Sequence, residues 1–126
     1  IGGGTPTTLS TPQMAYLLDA IRDSFDLSRC IEFTVEGGRP DTLDAEKLKT
    51  IAAHGADRMS INPQTMNDET LRINGRAHTA QQVIDAYAMA RAAGIYHINM
   101  DVIAGLPGET VADFARRMEY AKQLRP

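Results

Sequence analysis

Three short segments of the chain alternate apolar and polar residues, which is the pattern of β-strands with one buried face. The segments are Cys30–Glu36, Arg58–Asn62 and His97–Ile103. Their apolar positions are Ile31, Phe33, Val35, Met59, Ile61, Ile98, Met100 and Val102. The positions between them are Glu32, Thr34, Glu36, Ser60, Asn62, Asn99 and Asp101. Because successive strand side chains point to opposite sides, the pattern predicts one face packed on helices and one polar face.

Helical periodicity predicts helices before, between and after these strands. The first begins at Ser10 or Thr11, because Ser10 with Gln13 forms a capping box and Thr11 before Pro12 is an equally good start. Apolar residues at helical spacing extend this helix to about Phe25. The other helices are predicted at Asp44–Gly55, Asn67–Ile73, Thr79–Ala93 and Thr110–Leu124. Alternation of strands with helices predicts a parallel sheet covered by helices, and hence the α/β class.

The polar strand face distinguishes between parallel architectures. A doubly wound sheet buries both of its faces, and a closed (βα)8 barrel fills its interior with branched apolar side chains. Polar residues on all three strands instead predict an open, partial (βα) barrel whose interior holds a ligand. Its functional groups are expected at the carboxyl ends of the strands.

A glycine turn follows the first residue of the chain. Gly2, Gly3 and Gly4 come directly after Ile1 and are followed by Thr5. Glycine lets the backbone approach a ligand closely, and successive backbone N–H groups can bind a carboxylate, although a plain turn is the alternative. The position of the turn suggests that its preceding strand lies upstream. We therefore expect residues 1–126 to be one domain, truncated at both ends.

Composition narrows the classes of function. The net charge is −3 and there is no basic tract, which argues against nucleic acid as the main partner. No apolar run is long enough to cross a membrane. The single cysteine, Cys30, cannot form an internal disulfide, so a cytoplasmic location and a buried apolar role for its side chain are expected. His54, His78 and His97 lack metal-ligand spacing, and we expect structural or surface roles for them.

Five segments occur in an order and at spacings that match a known family. They are IGGGTPTTLS, FTVEGGRPD, RMSINPQTMND, NGRAHT and INMDVIAGLPGET. In these segments, and over essentially its whole length, the chain resembles the radical S-adenosylmethionine (SAM) enzymes, especially the oxygen-independent coproporphyrinogen III dehydrogenases of the HemN/HemZ type. The resemblance implies an internal fragment of a partial six-unit, TIM-like (βα) barrel. It would run from the end of the second strand through the fifth strand and its helix.

The resemblance also implies seven SAM-binding residues. They are Gly3, Gly4, Thr5, Glu36, Gln64, Arg76 and Asp101. The first three match a loop that contacts the amino and carboxylate groups of SAM, and the two acids match residues at bound SAM. The glutamine and the arginine match residues near bound SAM, where the best-known members hold a second SAM close by. The structural alternatives are a plain turn, a solvated strand end, a surface arginine and an aspartate that caps a loop.

The cluster-binding loop of the family, with cysteines in a CxxxCxxC arrangement, does not occur in the chain. Cys30 cannot replace it, so the ligands of the [4Fe–4S] cluster are expected upstream and the chain alone should be catalytically silent. In the family, SAM is cleaved to a 5′-deoxyadenosyl radical that abstracts hydrogen from the propionates of coproporphyrinogen III. The resemblance therefore implies an oxidoreductase of haem biosynthesis with a small porphyrinogen as its substrate.

Two alternative functions stay open. Haem chaperones related to this group share most of the motifs, and sequence outside the chain would distinguish them through extra cluster cysteines and a substrate-covering domain. An ordinary barrel enzyme with a phosphate-binding loop would require that the five ordered matches are accidental.

Self-association is a further expectation. The strand at Ile98–Ile103 should lack a neighbour on one side, and unpaired strand edges recruit other chains. The last helix should expose the apolar residues Val111, Phe114, Met118 and Leu124.

Overall fold

Three parallel strands lie side by side in the order β1–β2–β3 in the computed structural model, which describes residues 1–126. The strands are β1 (Thr34–Gly38), β2 (Arg58–Ile61) and β3 (His97–Asn99). The helices are α1 (Thr11–Ser24), α2 (Ala45–Ala53), α3 (Asp68–Ile73), α4 (Ala80–Ala92) and α5 (Val111–Leu124). Short 3-10 turns occupy Pro6–Thr8 and Pro40–Thr42. The strand–helix–strand alternation is the one that the sequence predicts.

One face of the sheet packs on helices α1, α2 and α4. Val35 pairs with Met59, and Met59 pairs with Ile98, so these three buried side chains form one row across the strands. The helices bury against this face Met14, Leu18, Leu48, Ile51, Val83, Ala86 and Ala90. The alternation of apolar and polar positions therefore has the predicted consequence: the apolar row forms the core, and the opposite face stays polar.

Helix starts follow the predicted capping residues. Ser10 with Gln13, and Thr79 with Gln82, form reciprocal capping boxes at α1 and α4. Asp44, Asn67 and Thr110 cap the other three helices. Each cap satisfies backbone N–H groups that have no partner within the helix. These local signals explain why the helix starts are predictable from sequence.

The first strand differs from its prediction at both ends. The sequence predicts a strand over Cys30–Glu36, but β1 begins at Thr34, which pairs with Arg58 at the start of β2. Residues before Thr34 have no partner strand, so Ile31 is 97% exposed instead of buried. Cys30 is also exposed, and the expectation of a buried thiol is wrong.

At its carboxyl end, β1 continues past the predicted end at Glu36 through Gly37 and Gly38. The register shifts between Glu36 and Gly38. An added Cβ at Gly37 would lie 2.9 Å from the backbone oxygen of Ser60, so only glycine allows this close approach of the strands.

Strand β3 is shorter than predicted. The sequence predicts His97–Ile103, whereas the ladder with β2 ends at Asn99 and resumes only as a single parallel bridge between Gln64 and Val102. Between these points the Asn62 side chain accepts a hydrogen bond from the backbone N–H of Asp101, at 3.4 Å. A side chain thus replaces a backbone partner and interrupts the ladder.

Ile1 lies beside the free edge of β1. Its amino group donates to the carbonyl of Thr34 at 2.6 Å, and its carbonyl accepts from the N–H of Glu36 at 2.9 Å. The residue therefore has the hydrogen bonds of a parallel neighbour of β1. None of the helices combines the length and the apolar character that a membrane-spanning helix needs.

Candidate functional site

The polar face of the sheet brings two acidic residues to one side. Glu36 pairs with Ser60 and Ser60 pairs with Asn99, so these three residues form one row across the strands. The amide of Asn99 donates to the carboxylate of Asp101 at 2.8 Å. Glu36 and Asp101 therefore lie on the same polar side of the sheet, toward its carboxyl edge.

The glycine turn closes on Glu36. The backbone N–H of Gly3 donates to Oε2 of Glu36 at 3.3 Å, and an added Cβ at Gly2 would lie 3.1 Å from the same oxygen. Gly3 and Gly4 have φ values of 89° and 61°, and no atom lies within 4 Å of their Cβ positions. The turn thus needs glycine for its backbone conformation and leaves open space beside a half-buried carboxylate. Backbone amides and a carboxylate side by side can bind a zwitterion.

A buried lysine connects the segment that follows the glycine turn to the loop after β1. Nζ of Lys47, on α2, donates to the carbonyls of Thr7 at 2.7 Å and Thr42 at 2.9 Å. The hydroxyl of Thr7 donates to the carbonyl of Gly37 at 3.1 Å. Lys47 is not among the predicted site residues, although it lies four residues before Ile51 on the buried stripe of α2. Its helical spacing from that apolar residue is the sequence pattern that indicates a buried position.

Gln64 and Arg76 line a separate small cavity. Its volume is about 150 Å³, and its wall also includes Leu71, Asn74 and Leu106. Arg76 is half-buried and forms no ion pair. Its guanidinium is therefore available to an anionic group of a ligand, which it could hold with two parallel hydrogen bonds.

The seven predicted site residues form two groups joined through Asp101. Gly3, Gly4, Thr5 and Glu36 gather at the end of β1, while Gln64 and Arg76 lie at the cavity beyond the end of β2. The backbone N–H of Gln64 donates to the carbonyl of Asp101 at 3.1 Å. No hydrogen bond or ion pair joins Arg76 to the glycine turn. The structure places these residues near one edge of the sheet, and their binding of SAM stays a prediction.

An exposed ion pair lies at the other end of the strands, away from the candidate site. Arg58 donates to Glu32 at 2.8 Å, and the hydroxyl of Thr34 donates to the same carboxylate at 2.7 Å. The hydrogen bond from Thr34, followed by that from Arg58, lowers the pKa of Glu32. Because the group is exposed and lies at the amino ends of the strands, we assign it to surface structure.

The residues fit SAM better than they fit an iron–sulfur cluster. The amino acid part of SAM carries an ammonium and a carboxylate, which match the Glu36 carboxylate and the open glycine turn. A cluster requires several thiolates, whereas the chain has one cysteine, which is exposed, and no three His, Cys, Asp or Glu side chains gather as a metal site.

Two relatives are similar to the chain over nearly its whole length. It is 44% identical over 126 residues to the oxygen-independent coproporphyrinogen-III oxidase-like protein HemZ of Bacillus subtilis, covering 99% of the chain and 25% of that protein. It is 41% identical over 128 residues to the heme chaperone HemW of the same organism, covering 98% of the chain and 33% of that protein. The chain thus spans between a quarter and a third of the length of these relatives.

A solved structure shows the same fold. The coproporphyrinogen III oxidase HemN of Escherichia coli, described as a radical SAM enzyme, superposes with a TM-score of 0.89 at 30% identity. The match covers 99% of the chain and 29% of that protein. The prediction of a fragment of a TIM-like radical SAM barrel is thereby confirmed.

A sequence model of the radical SAM superfamily matches residues 1–121. The predicted resemblance is confirmed by this match together with the HemZ and HemN similarities. The chain belongs to the radical SAM superfamily.

Proposed function

We propose that the chain is the SAM-binding part of a protein that converts coproporphyrinogen III to protoporphyrinogen IX by oxygen-independent oxidative decarboxylation. The observation that carries the SAM assignment is the contact between the Gly3 amide and the Glu36 carboxylate at the polar edge of the sheet. The 44% identity to a coproporphyrinogen-III oxidase-like protein supports the choice of substrate. The proposal includes a cytoplasmic location, where a single cysteine stays reduced.

Each predicted residue has a role that follows from its chemistry. The carboxylate of Glu36 accepts hydrogen bonds from the SAM ammonium, while the backbone of Gly3 and Gly4 and the hydroxyl of Thr5 bind its amino acid group. Asp101 accepts from a hydroxyl or ammonium on the same polar side. When bound together with a cluster held outside this chain, SAM supplies radical chemistry, and the residues here position it and exclude water.

Gln64 and Arg76 serve the other part of the site. Their cavity of about 150 Å³ is too small for a porphyrinogen but can admit a single carboxylate or amino acid group. Arg76 has no competing ion pair, so we assign it the carboxylate of a bound SAM.

The second candidate function is that of a haem chaperone. The 41% identity to the heme chaperone HemW supports it. The polar face of the sheet fits both functions, because an oxidase and a chaperone of this family would each keep the radical SAM barrel. The two proposals differ in what the full-length protein does to its tetrapyrrole.

The experiment compares turnover with binding in the full-length protein that contains this chain. After anaerobic reconstitution, the protein receives SAM, coproporphyrinogen III, a low-potential reductant for the cluster and an electron acceptor for the substrate radical, and chromatography follows the loss of propionate carboxyl groups. We expect product with the unsubstituted protein and with Asp23→Ala, which changes an exposed carboxylate on α1, but little with Asp101→Ala. Absence of turnover together with stoichiometric haem binding would favour the chaperone and contradict the oxidase proposal.

A further inference from the structure

Gln64 has a strained backbone conformation at the candidate site. Its φ is 62°, in the left-handed region that glycine normally occupies. The N–H of Thr65 donates to the carbonyl of Pro63 at 2.6 Å, which closes a three-residue turn around Gln64. Such a γ-turn with positive φ is rare, and it persists only where the surrounding structure holds it.

The same residue joins the carboxyl ends of two strands. The N–H of Gln64 donates to the carbonyl of Asp101 at 3.1 Å, and the carbonyl of Gln64 accepts from the N–H of Ile103 at 3.0 Å. The Gln64 turn, defined here as Pro63–Thr65, therefore fixes the backbone of Asp101 relative to β2. Any movement of this turn would displace one of the two acids of the candidate site.

A buried arginine on α5 donates hydrogen bonds to the backbone of this turn. Nη1 of Arg117 donates to the carbonyl of Gln64 at 3.0 Å, and Nη2 donates to the carbonyl of Ile103 at 2.8 Å. Its side chain is only 3% exposed, and the guanidinium lies 4.7 Å from the centre of the Phe114 ring. One side chain thus binds the carbonyls of both strand ends.

Glu109 makes this burial possible. Its side chain is 2% exposed, and its carboxylate contacts Nη1 of Arg117 at 2.8 Å and Nη2 at 3.1 Å. Each of these two terminal nitrogens therefore binds one carboxylate oxygen and one backbone carbonyl, whereas the buried Nε has no partner. An isolated buried guanidinium would be strongly unfavourable, so the carboxylate neutralises the charge while the fork still reaches both carbonyls. A lysine has a single nitrogen and cannot reproduce this arrangement.

We propose that Arg117, neutralised by Glu109, is a positioning residue that holds the Gln64 turn and the Asp101 backbone in the geometry that SAM binding requires. The proposal rests on the proposed function of the site. Arg117 contacts backbone atoms on the helix side of the strand ends and acts on the ligand only through Gln64 and Asp101.

Three variants of the full-length protein separate positioning from stability. Arg117→Met leaves the carboxylate of Glu109 buried without a partner and should lower the thermal midpoint. The double variant Arg117→Met with Glu109→Met removes both charges and should recover most of that loss. Arg117→Lys keeps the charge pair but lacks the fork, so it is the matched control for charge alone.

Amide hydrogen exchange measures the local opening of the Gln64 turn itself, whether or not SAM binds. In the double variant the amides of Gln64 and Ile103 should exchange about tenfold faster, while α2 amides stay unchanged, because local opening is decoupled from global stability. Calorimetry should show SAM affinity reduced about tenfold in the double variant and in Arg117→Lys, a change of ~1.4 kcal/mol.

The outcomes distinguish this proposal from the proposed function. Unchanged exchange at Gln64 and Ile103 in the double variant would overturn the positioning role. Faster exchange with unchanged SAM affinity would overturn its link to the ligand and leave the SAM assignment standing. If the unsubstituted protein binds no SAM, the proposed function fails, and the exchange result alone decides whether Arg117 holds the turn.

Discussion

Replacing Lys47 by methionine is expected to destabilise the fold and to loosen the glycine turn. Lys47 is 7% exposed, and its ammonium donates to the carbonyls of Thr7 and Thr42. Methionine fills a similar volume but cannot donate. The two carbonyls would lose their charged donor, and Thr7 would lose part of what holds it beside Gly37.

The magnitude follows from two hydrogen bonds and one compensating term. A hydrogen bond to a charged group contributes about 1.5–3 kcal/mol, so the pair represents about 3–6 kcal/mol. Methionine loses about as much side-chain entropy on burial as lysine does, so the compensating term is the desolvation of the buried ammonium, which costs several kcal/mol and which the variant avoids. We expect a net loss of about 1–3 kcal/mol, which for a domain of this size lowers the melting temperature by roughly 3–15 °C.

Urea denaturation followed by circular dichroism measures this loss. Lys49→Met is the matched control, because Lys49 is exposed on the same helix and should change the free energy of unfolding by less than about 0.5 kcal/mol. Equal stability of the two variants would refute the reasoning that Lys47 is held by its carbonyl contacts.

Three further predictions concern the chain itself. Anaerobic reconstitution should leave no stoichiometric iron and sulfide on residues 1–126, because thiolates hold such clusters and Cys30 is alone; a stoichiometric cluster would contradict this. Light scattering over a concentration series should show dimers or larger species, because α5 exposes a groove that includes Phe114 and Met118; a monodisperse monomer at high concentration would defeat the idea. Hydrogen bonds from Thr110 lower the pKa of Asp113, so its carboxylate stabilises the fold at neutral pH and this contribution is lost as the pH falls below about 4. The difference in unfolding free energy from Asp113→Asn should disappear over that range, and a constant difference would disprove the linkage.

Local signals explain what the sequence predicts well. Val35, Met59 and Ile98 are apolar positions in alternating segments, and they form one buried row. Capping residues such as Ser10 and Thr79 act within four residues, so they fix helix starts before any tertiary contact is known.

Strand ends depend on partners that lie far away in the sequence. The propensity of Ile31 for a strand is strong, yet β1 begins only where Arg58 provides a partner for Thr34. Tertiary pairing overrides local preference at such positions. The wrong assignment of Cys30 follows from the same cause.

Buried charges are the least predictable part of the site. Arg116 and Arg117 are adjacent in sequence, but the first side chain is 73% exposed and the second 3% exposed. Arg117 donates to the carbonyls of Gln64 and Ile103, whereas Arg116 pairs with Asp113 at the surface, and these distant backbone partners are not visible in the sequence. By contrast, the shared side of Glu36 and Asp101 follows from strand alternation, which is a local property.

SAM binding by the full-length protein that contains this chain tests the site most directly. Calorimetry should show that Asp101→Ala and Arg76→Ala each weaken SAM binding by about 1–3 kcal/mol, the range for a lost hydrogen bond to a charged group. Asp23→Ala should leave the affinity unchanged. Unchanged SAM affinity in both site variants would contradict the claim that the polar edge of the sheet is the SAM site.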